Sequence, residues 1–86
     1  MFNMKDIQDG IYFFNAEWCG PCKVVKKYIT EDIMQEYNIT SVDISEHPEL
    51  AAKHFVSSVP TFVRIINGTK EKMHVGRLTL EQLKTF

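Results

Sequence analysis

Short apolar runs alternate along this chain with stripes at helical spacing. Ile11-Tyr12-Phe13-Phe14-Asn15 is a continuous apolar and aromatic run after Asp9-Gly10. Its length and its β-preferring residues predict a buried strand. From Cys22 to about Tyr37 the period changes. Val25, Ile29 and Ile33 recur at four-residue steps, and Val24, Tyr28, Met34 and Tyr37 widen the stripe. Lys23, Lys26, Lys27, Glu31, Asp32, Gln35 and Glu36 fill the opposite side, so the segment reads as one amphipathic helix. Ile39–Ile44 is expected to be a second strand. Ser45 to Pro48 reads as a helix entry, with Ser45 or His47 as cap, leading into a short helix over Glu49–Phe55. Val56–Pro60 is a loop, and the β-branched run Thr61–Ile66 is a third strand. Asn67-Gly68 is a strong hairpin signal, because both central residues of a type I′ turn need positive φ. Lys70 to Val75 is then the returning strand. Thr79 caps a last helix, with Gln82 at the capping-box position.

This order is a parallel βαβ unit, whose crossover should be right-handed, followed by an antiparallel ββα unit. It predicts an α/β fold with a four-stranded mixed sheet flanked by three helices. At 86 residues the chain is expected to form a single domain over 1–86. Apolar residues at 44% and charged residues at 24% match ordinary globular composition. With 10 Lys and Arg against 11 Asp and Glu, the net charge of -1 points away from nucleic acid and anionic membranes as partners. No apolar run approaches the roughly 20 residues of a membrane span. Met1-Phe2-Asn3-Met4-Lys5-Asp6 lacks the basic start and apolar stretch of a signal peptide, so a cytoplasmic protein is expected.

The two cysteines, Cys19 and Cys22, narrow the chemistry. A secreted disulfide scaffold would carry more cysteines, spread along the chain. A bridge closing so short a loop removes little unfolded-state entropy, so the pair is not there for stability. Redox chemistry, half of a metal site and coincidence remain. The pair lies at a predicted strand-to-helix junction, which is the setting a redox CxxC needs. Residues three apart around a first helical turn can bring their sulfurs within bonding distance. Cys19 precedes the helix, where unpaired N–H groups and the positive end of the macrodipole favour thiolate over thiol. Cys22, one turn in, should be less exposed. Cys19 would then attack a substrate disulfide, and Cys22 would attack Cys19 and release the reduced substrate. A zinc site would need four ligands, and His47, His54 and His74 show no paired ligand spacing, so no metal is expected. Asn38-Ile39-Thr40 and Asn67-Gly68-Thr69 match the glycosylation pattern and are read as coincidental.

Ala16-Glu17-Trp18-Cys19-Gly20-Pro21-Cys22-Lys23 resembles the active-site signature of the thioredoxin family. Downstream, Ser58-Val59-Pro60-Thr61-Phe62 resembles the family's cis-proline loop, Asn67-Gly68 its hairpin turn, and Val75-Gly76 its groove glycine. The resemblance runs from about Ile11 to Phe86. It implies a minimal thioredoxin fold with a cis-proline before the third strand. It also implies a protein-disulfide reductase that uses a redox-active Cys19–Cys22 disulfide and no other cofactor. The active-site turn would comprise Trp18, Gly20, Pro21 and Lys23. Trp18, Val59, Pro60 and Gly76 would line the substrate groove, where an extended segment pairs its backbone by strand addition. Partners would be disulfide-containing proteins, with a thioredoxin reductase or glutathione as electron source, and the protein would act as a monomer. Gly20-Pro21 resembles the dipeptide of reducing family members.

The chain also departs from the family pattern. Thioredoxins usually bury an Asp in the strand before the motif and pair it with a Lys on the neighbouring strand. Those positions correspond here to Phe13 and Ser41. Glu17 and Lys23 are close in sequence, but both are expected to be exposed. Only Met1 to Gly10 precedes the first strand, so the family's first strand and helix are expected to have no counterpart, and in size the chain approaches a glutaredoxin. Two alternatives therefore accompany the reductase reading: a glutaredoxin-like reductase recycled by glutathione, and a thioredoxin-fold binding module with incidental thiols.

Overall fold

The computed structural model describes residues 8–86. Its first strand, β1 (Gly10–Asn15), lies inside a four-stranded sheet of order β2-β1-β3-β4, with β2 at Ile39–Asp43, β3 at Thr61–Ile66 and β4 at Thr69–Val75. β1 runs parallel to β2 and antiparallel to β3, and β3 is antiparallel to β4. The expected mixed sheet is therefore present. A strand buried on both faces needs apolar residues at both parities, and β1 has them. Ile11 and Phe13 join one apolar cluster, whereas Tyr12 and Phe14 join the other. The first cluster is covered by Val25, Ile29, Leu78 and Leu83, and the second by Leu50 and Ala51.

The segment read as one helix over Cys22–Tyr37 is two. α1 spans Gly20–Tyr28 and α2 spans Glu31–Glu36, so four helices flank the sheet where three were expected. The chain leaves helical geometry at Ile29 (φ -89°, ψ 83°) and Thr30 (φ -81°, ψ 175°). Two β-branched residues in succession weaken a helix locally. The charges are also segregated about this point. Lys26 and Lys27 occupy the last turn of α1, and Glu31 and Asp32 occupy the first turn of α2. Each set suits the helix end it sits on. The apolar stripe continues across the break, since Val25 and Ile29 are buried and Ile33 packs on the same cluster.

α3 spans Pro48–Lys53, with His47 as its N-cap residue. It closes with Phe55 at φ 58°, where a glycine usually stands. Val56 N–H donates to Ala51 O (2.8 Å) and Phe55 N–H to Ala52 O (3.2 Å), the paired bonds of a Schellman closure. α4 (Leu80–Lys84) begins with the expected capping box, Thr79 and Gln82 each bonding to the other's backbone N–H.

The entry to β1 is held by three turns of chain. The Asp9 carboxylate accepts from the backbone N–H groups of Asn67 (2.9 Å) and Gly68 (3.1 Å), the two hairpin residues, both at positive φ. Asn38 Nδ2 donates to Asp9 O (3.0 Å), and Ile11 N–H donates to Asn38 O (3.0 Å). Gly10, at φ 145°, lies so close that a Cβ there would meet Asn38 O and Nδ2 at 2.8 Å. Residues 1–7, on which the expectation of a missing first strand and helix rests, lie outside the described part.

Gly10→Ala therefore combines a disfavoured φ with a backbone collision. It should destabilise the protein by about 2 kcal/mol or more, lowering Tm by roughly 10 °C in a chain of this size. An unchanged Tm would show that β1 and Asn38 are not so closely apposed. The hairpin N–H groups hold the Asp9 carboxyl below its ordinary pKa. Its stabilisation is thus present above the ordinary carboxylate range and is lost as pH falls through the lowered value. Asp9→Asn should flatten the acid limb of a Tm-versus-pH profile between about pH 5 and pH 2. A variant with the parent's acid limb would remove Asp9 from the turn.

Candidate active site

β1 ends at Asn15, and the chain turns sharply before α1. Ala16 is buried beneath the turn, and its carbonyl accepts from Cys19 N–H (3.2 Å). Cys19 is the N-cap residue of α1, with Pro21 in the first turn where a missing N–H is tolerated. Cys19 Sγ accepts from Cys22 N–H (3.1 Å), and Cys19 O accepts from Lys23 N–H (3.3 Å). The two cysteines form a disulfide with their Cα atoms 5.3 Å apart. The sulfur of Cys19 thus sits at the open N-terminus of a nine-residue helix, where N–H donors and the macrodipole favour a thiolate once the bond is reduced. Cys22 is fully buried, and Cys19 keeps 4% of its surface. The order matches the expectation, though both are nearly enclosed. Gly20, Pro21 and Lys23 are exposed, and Trp18 projects into solvent at 72% exposure.

The second wall comes from the loop before β3. Val59–Pro60 is a cis peptide bond, as expected, and Pro60 is buried. Val59 packs against the cluster that contains both cysteines. Pro60 O accepts from Gly76 N–H (2.8 Å), so the proline loop and the glycine after β4 are tied directly together. Gly76 has φ 105° with open space around a notional Cβ, so glycine is required here by conformation and not by crowding. Thr61 Oγ1 donates to Ser58 O (2.7 Å) and closes the loop. Val59 is thus brought to the cysteines and Pro60 to Gly76, while Trp18 stands clear at the rim.

Behind the disulfide the environment is apolar. Phe13 is fully buried in the same cluster as Cys22 and faces Ser41 in the parallel register and Phe62 in the antiparallel one. The Phe13 and Phe62 rings stack with centroids 4.7 Å apart and planes 6° from parallel. Ser41 is exposed, yet its Oγ accepts from Asn15 Nδ2 (2.8 Å). Asn15 also donates to Phe13 O (3.0 Å) and Val42 O (3.3 Å). This buried amide locks the exit of β1 to β2, a role that sequence reading missed. Its only trace in the sequence is a polar residue closing an apolar run.

The buried polar side chains among the described residues are Asn15, His54 and Thr61, none of them a carboxylate. Glu17 and Lys23 are exposed, as expected. His54 lies on the other face of the sheet, tilted against Phe14 at 6.2 Å. Burial first, then the charges of Lys53 and Lys70, push its pKa down. His74 Nε2 lies 2.9 Å from Arg77 O. Among the described residues no group of three His, Cys, Asp or Glu side chains is placed to hold a metal ion.

An enclosed CxxC disulfide at a strand-to-helix turn, opposed by a cis-proline loop, defines the class of thiol–disulfide folds. The thioredoxin family model matches residues 4–86, and the chain belongs to the thioredoxin family. It is 36% identical over 76 residues to mitochondrial thioredoxin of Mus musculus, a match covering 85% of this chain and 46% of that protein. The chain thus spans about half the length of that relative. It is 35% identical over 87 residues to thioredoxin of Acidithiobacillus ferridurans, covering 96% of this chain and 80% of that one. The solved structure of Fasciola hepatica thioredoxin superposes with a TM-score of 0.75 at 31% identity, covering 87% of this chain and 74% of that chain.

The Phe13 site yields a direct test. Phe13→Asp removes a stacked, fully buried ring and leaves a carboxyl without a partner. It should lower stability by about 4 kcal/mol or more. Denaturant unfolding reads this, and a variant as stable as the parent would contradict the enclosure of residue 13.

Proposed function

We infer that this protein is a thiol–disulfide oxidoreductase that reduces protein disulfides through the Cys19–Cys22 couple. The observation that carries the reading is the placement of the Cys19 sulfur at the open N-terminus of α1, bonded to Cys22 and opposed by the Val59–Pro60 loop. Cys19 is the nucleophile, because the helix end favours its thiolate and it retains the exposed edge of the pair. Cys22 is the resolving thiol. Trp18, Val59, Pro60 and Gly76 line the groove for an extended substrate segment, which adds to the free backbone at Val59 as a strand would. Gly20 and Pro21 shape the turn, and Lys23 adds positive charge beside it. No further cofactor is needed, since the reduced Cys19–Cys22 dithiol itself carries the two electrons and is left as the disulfide.

A reductase needs an electron source. We assign that role to a thioredoxin reductase, in keeping with the relatives' family, with glutathione as the alternative donor. The proposed setting is a compartment that keeps thiols reduced, such as the cytoplasm. The relative from Mus musculus is named as mitochondrial. The protein is proposed to act as a monomer.

Cys19→Ser should reduce insulin disulfides no faster than the uncatalysed background. Cys22→Ser should form mixed disulfides that persist on a non-reducing gel. Reduction at the parent's rate by Cys19→Ser would exclude this mechanism.

A further inference from the structure

The mechanism above requires Cys22 to lose a proton, yet Cys22 is fully buried in an apolar cluster, and the buried polar side chains among the described residues, Asn15, His54 and Thr61, include no carboxylate. Its cluster consists of Ile11, Phe13 and Ala16 from the β1 segment, Cys19, Val25 and Ile29 from the α1 segment, Ile39 from β2, Phe62 from β3, and Leu78 and Leu83 around α4. The partly buried hydrophobic side chains packed on this cluster include Tyr28, whose Oη donates to Leu78 O (2.9 Å). Tyr37 is the other phenol, from the end of α2. The nearest polar amide in sequence, Asn15, has no basic atom, and its NH2 is already shared among three acceptors.

Asp43, on the same parity of β2 as Ile39, is a carboxylate on this face; it accepts from Ser45 N–H (2.8 Å) and Ser45 Oγ and interacts with Lys26 of α1. Arg64, two residues beyond Phe62, donates to Phe86 O (2.7 Å) and lies 3.9 Å from Glu71. Lys72 lies across from Arg64 and donates to Thr85 O (3.1 Å). His74 lies across from Phe62 and is engaged with Arg77 O. Glu17 and Lys23 flank the turn in solvent. The stacked Phe13–Phe62 pair is fully buried in this cluster and offers no proton acceptor.

We propose that this protein resolves its mixed disulfides without a proton acceptor among residues 8–86, the Cys22 proton passing to solvent base beside Cys19. The proposal rests on the oxidoreductase reading above and specifies the control of its second step. Cys22 S–H gives its proton to hydroxide or a buffer base. The thiolate electron pair forms the Cys22–Cys19 bond, and the bond between Cys19 and the substrate sulfur breaks. That sulfur leaves with the pair and takes a proton from water, so the substrate is reduced and Cys22 is oxidised. Only the thiolate attacks, and burial among apolar side chains disfavours it. The mixed disulfide is therefore long-lived in acid and short-lived in base, which makes release of substrate a pH-controlled event.

The test isolates that step. Reduced protein is loaded at Cys19 with a chromogenic aryl disulfide at about pH 5, which releases one equivalent of aryl thiolate. A jump to a higher pH then starts resolution, read as a second equivalent. The expected rate rises about tenfold per pH unit between about pH 6 and pH 8, with no plateau. Glu17→Gln and His74→Gln should follow the same line. Phe13→Asp should resolve at least about tenfold faster than the parent at pH 6, and should introduce a plateau. A plateau in the parent below about pH 7.5, or a rate lowered about tenfold by Glu17→Gln or His74→Gln, overturns the proposal by revealing a base. If Phe13→Asp does not fold, the parent's profile decides alone. A first equivalent with no second at any pH means that Cys22 does not resolve. The oxidoreductase reading then fails, and the proposal with it.

Discussion

The strand that carries the redox turn is buried on both faces and hydrogen-bonded along both edges. β1 pairs with β2 on one side and β3 on the other, and Ile11, Tyr12, Phe13 and Phe14 are all enclosed. A strand held this way cannot shift by one residue, because a slip would exchange its two apolar sets between faces. Both ends are tied as well. The entry is clamped through Asp9, Gly10 and Asn38 to the β3–β4 hairpin, and the exit is clamped through Asn15 to β2. The position of Cys19 follows from these constraints, since only three residues, Ala16 to Trp18, separate it from the end of β1. The site is thus precise because it is built on the most constrained element of the sheet.

The same burial shapes the chemistry. An apolar floor beneath Cys22 gives packing, with each fully buried phenylalanine contributing about 2 kcal/mol or more. On the proposal above, it also leaves the resolving thiol without a proton acceptor among the described residues. The two cysteines therefore stand in opposite environments. Cys19 meets N–H donors at a helix end, and Cys22 meets side chains that stabilise only its neutral or bonded forms. This asymmetry separates the attacking sulfur from the resolving one without any buried Asp, Glu, Lys or Arg among the described residues.

Much of this was legible before any coordinates. The continuous run Ile11–Phe14 identified the central strand because two-sided burial suppresses alternation. Asn67-Gly68 and Thr79 with Gln82 marked a hairpin and a helix start through local backbone chemistry, and both stand where expected. The break at Ile29–Thr30 was hidden because an apolar stripe is insensitive to one non-helical step. The signal lay in the charges, with lysines before the break and acids after it. Phe55 was invisible as a helix terminator because its positive φ is imposed by the Schellman closure and not by its residue type. The Asn15 clamp joins residues 26 positions apart, so no local pattern could show it. The family resemblance assigned Pro60 and Gly76 to one groove but did not show the direct bond from Gly76 N–H to Pro60 O.

The central claim is that the Cys19–Cys22 couple works as a reductant. The reduction potential of that couple, obtained by equilibrating the protein with thiol–disulfide buffers of known poise, tests it most directly. A reducing couple of this kind lies near about -270 mV, whereas a value above about -200 mV would mark an oxidant or isomerase and contradict the claim.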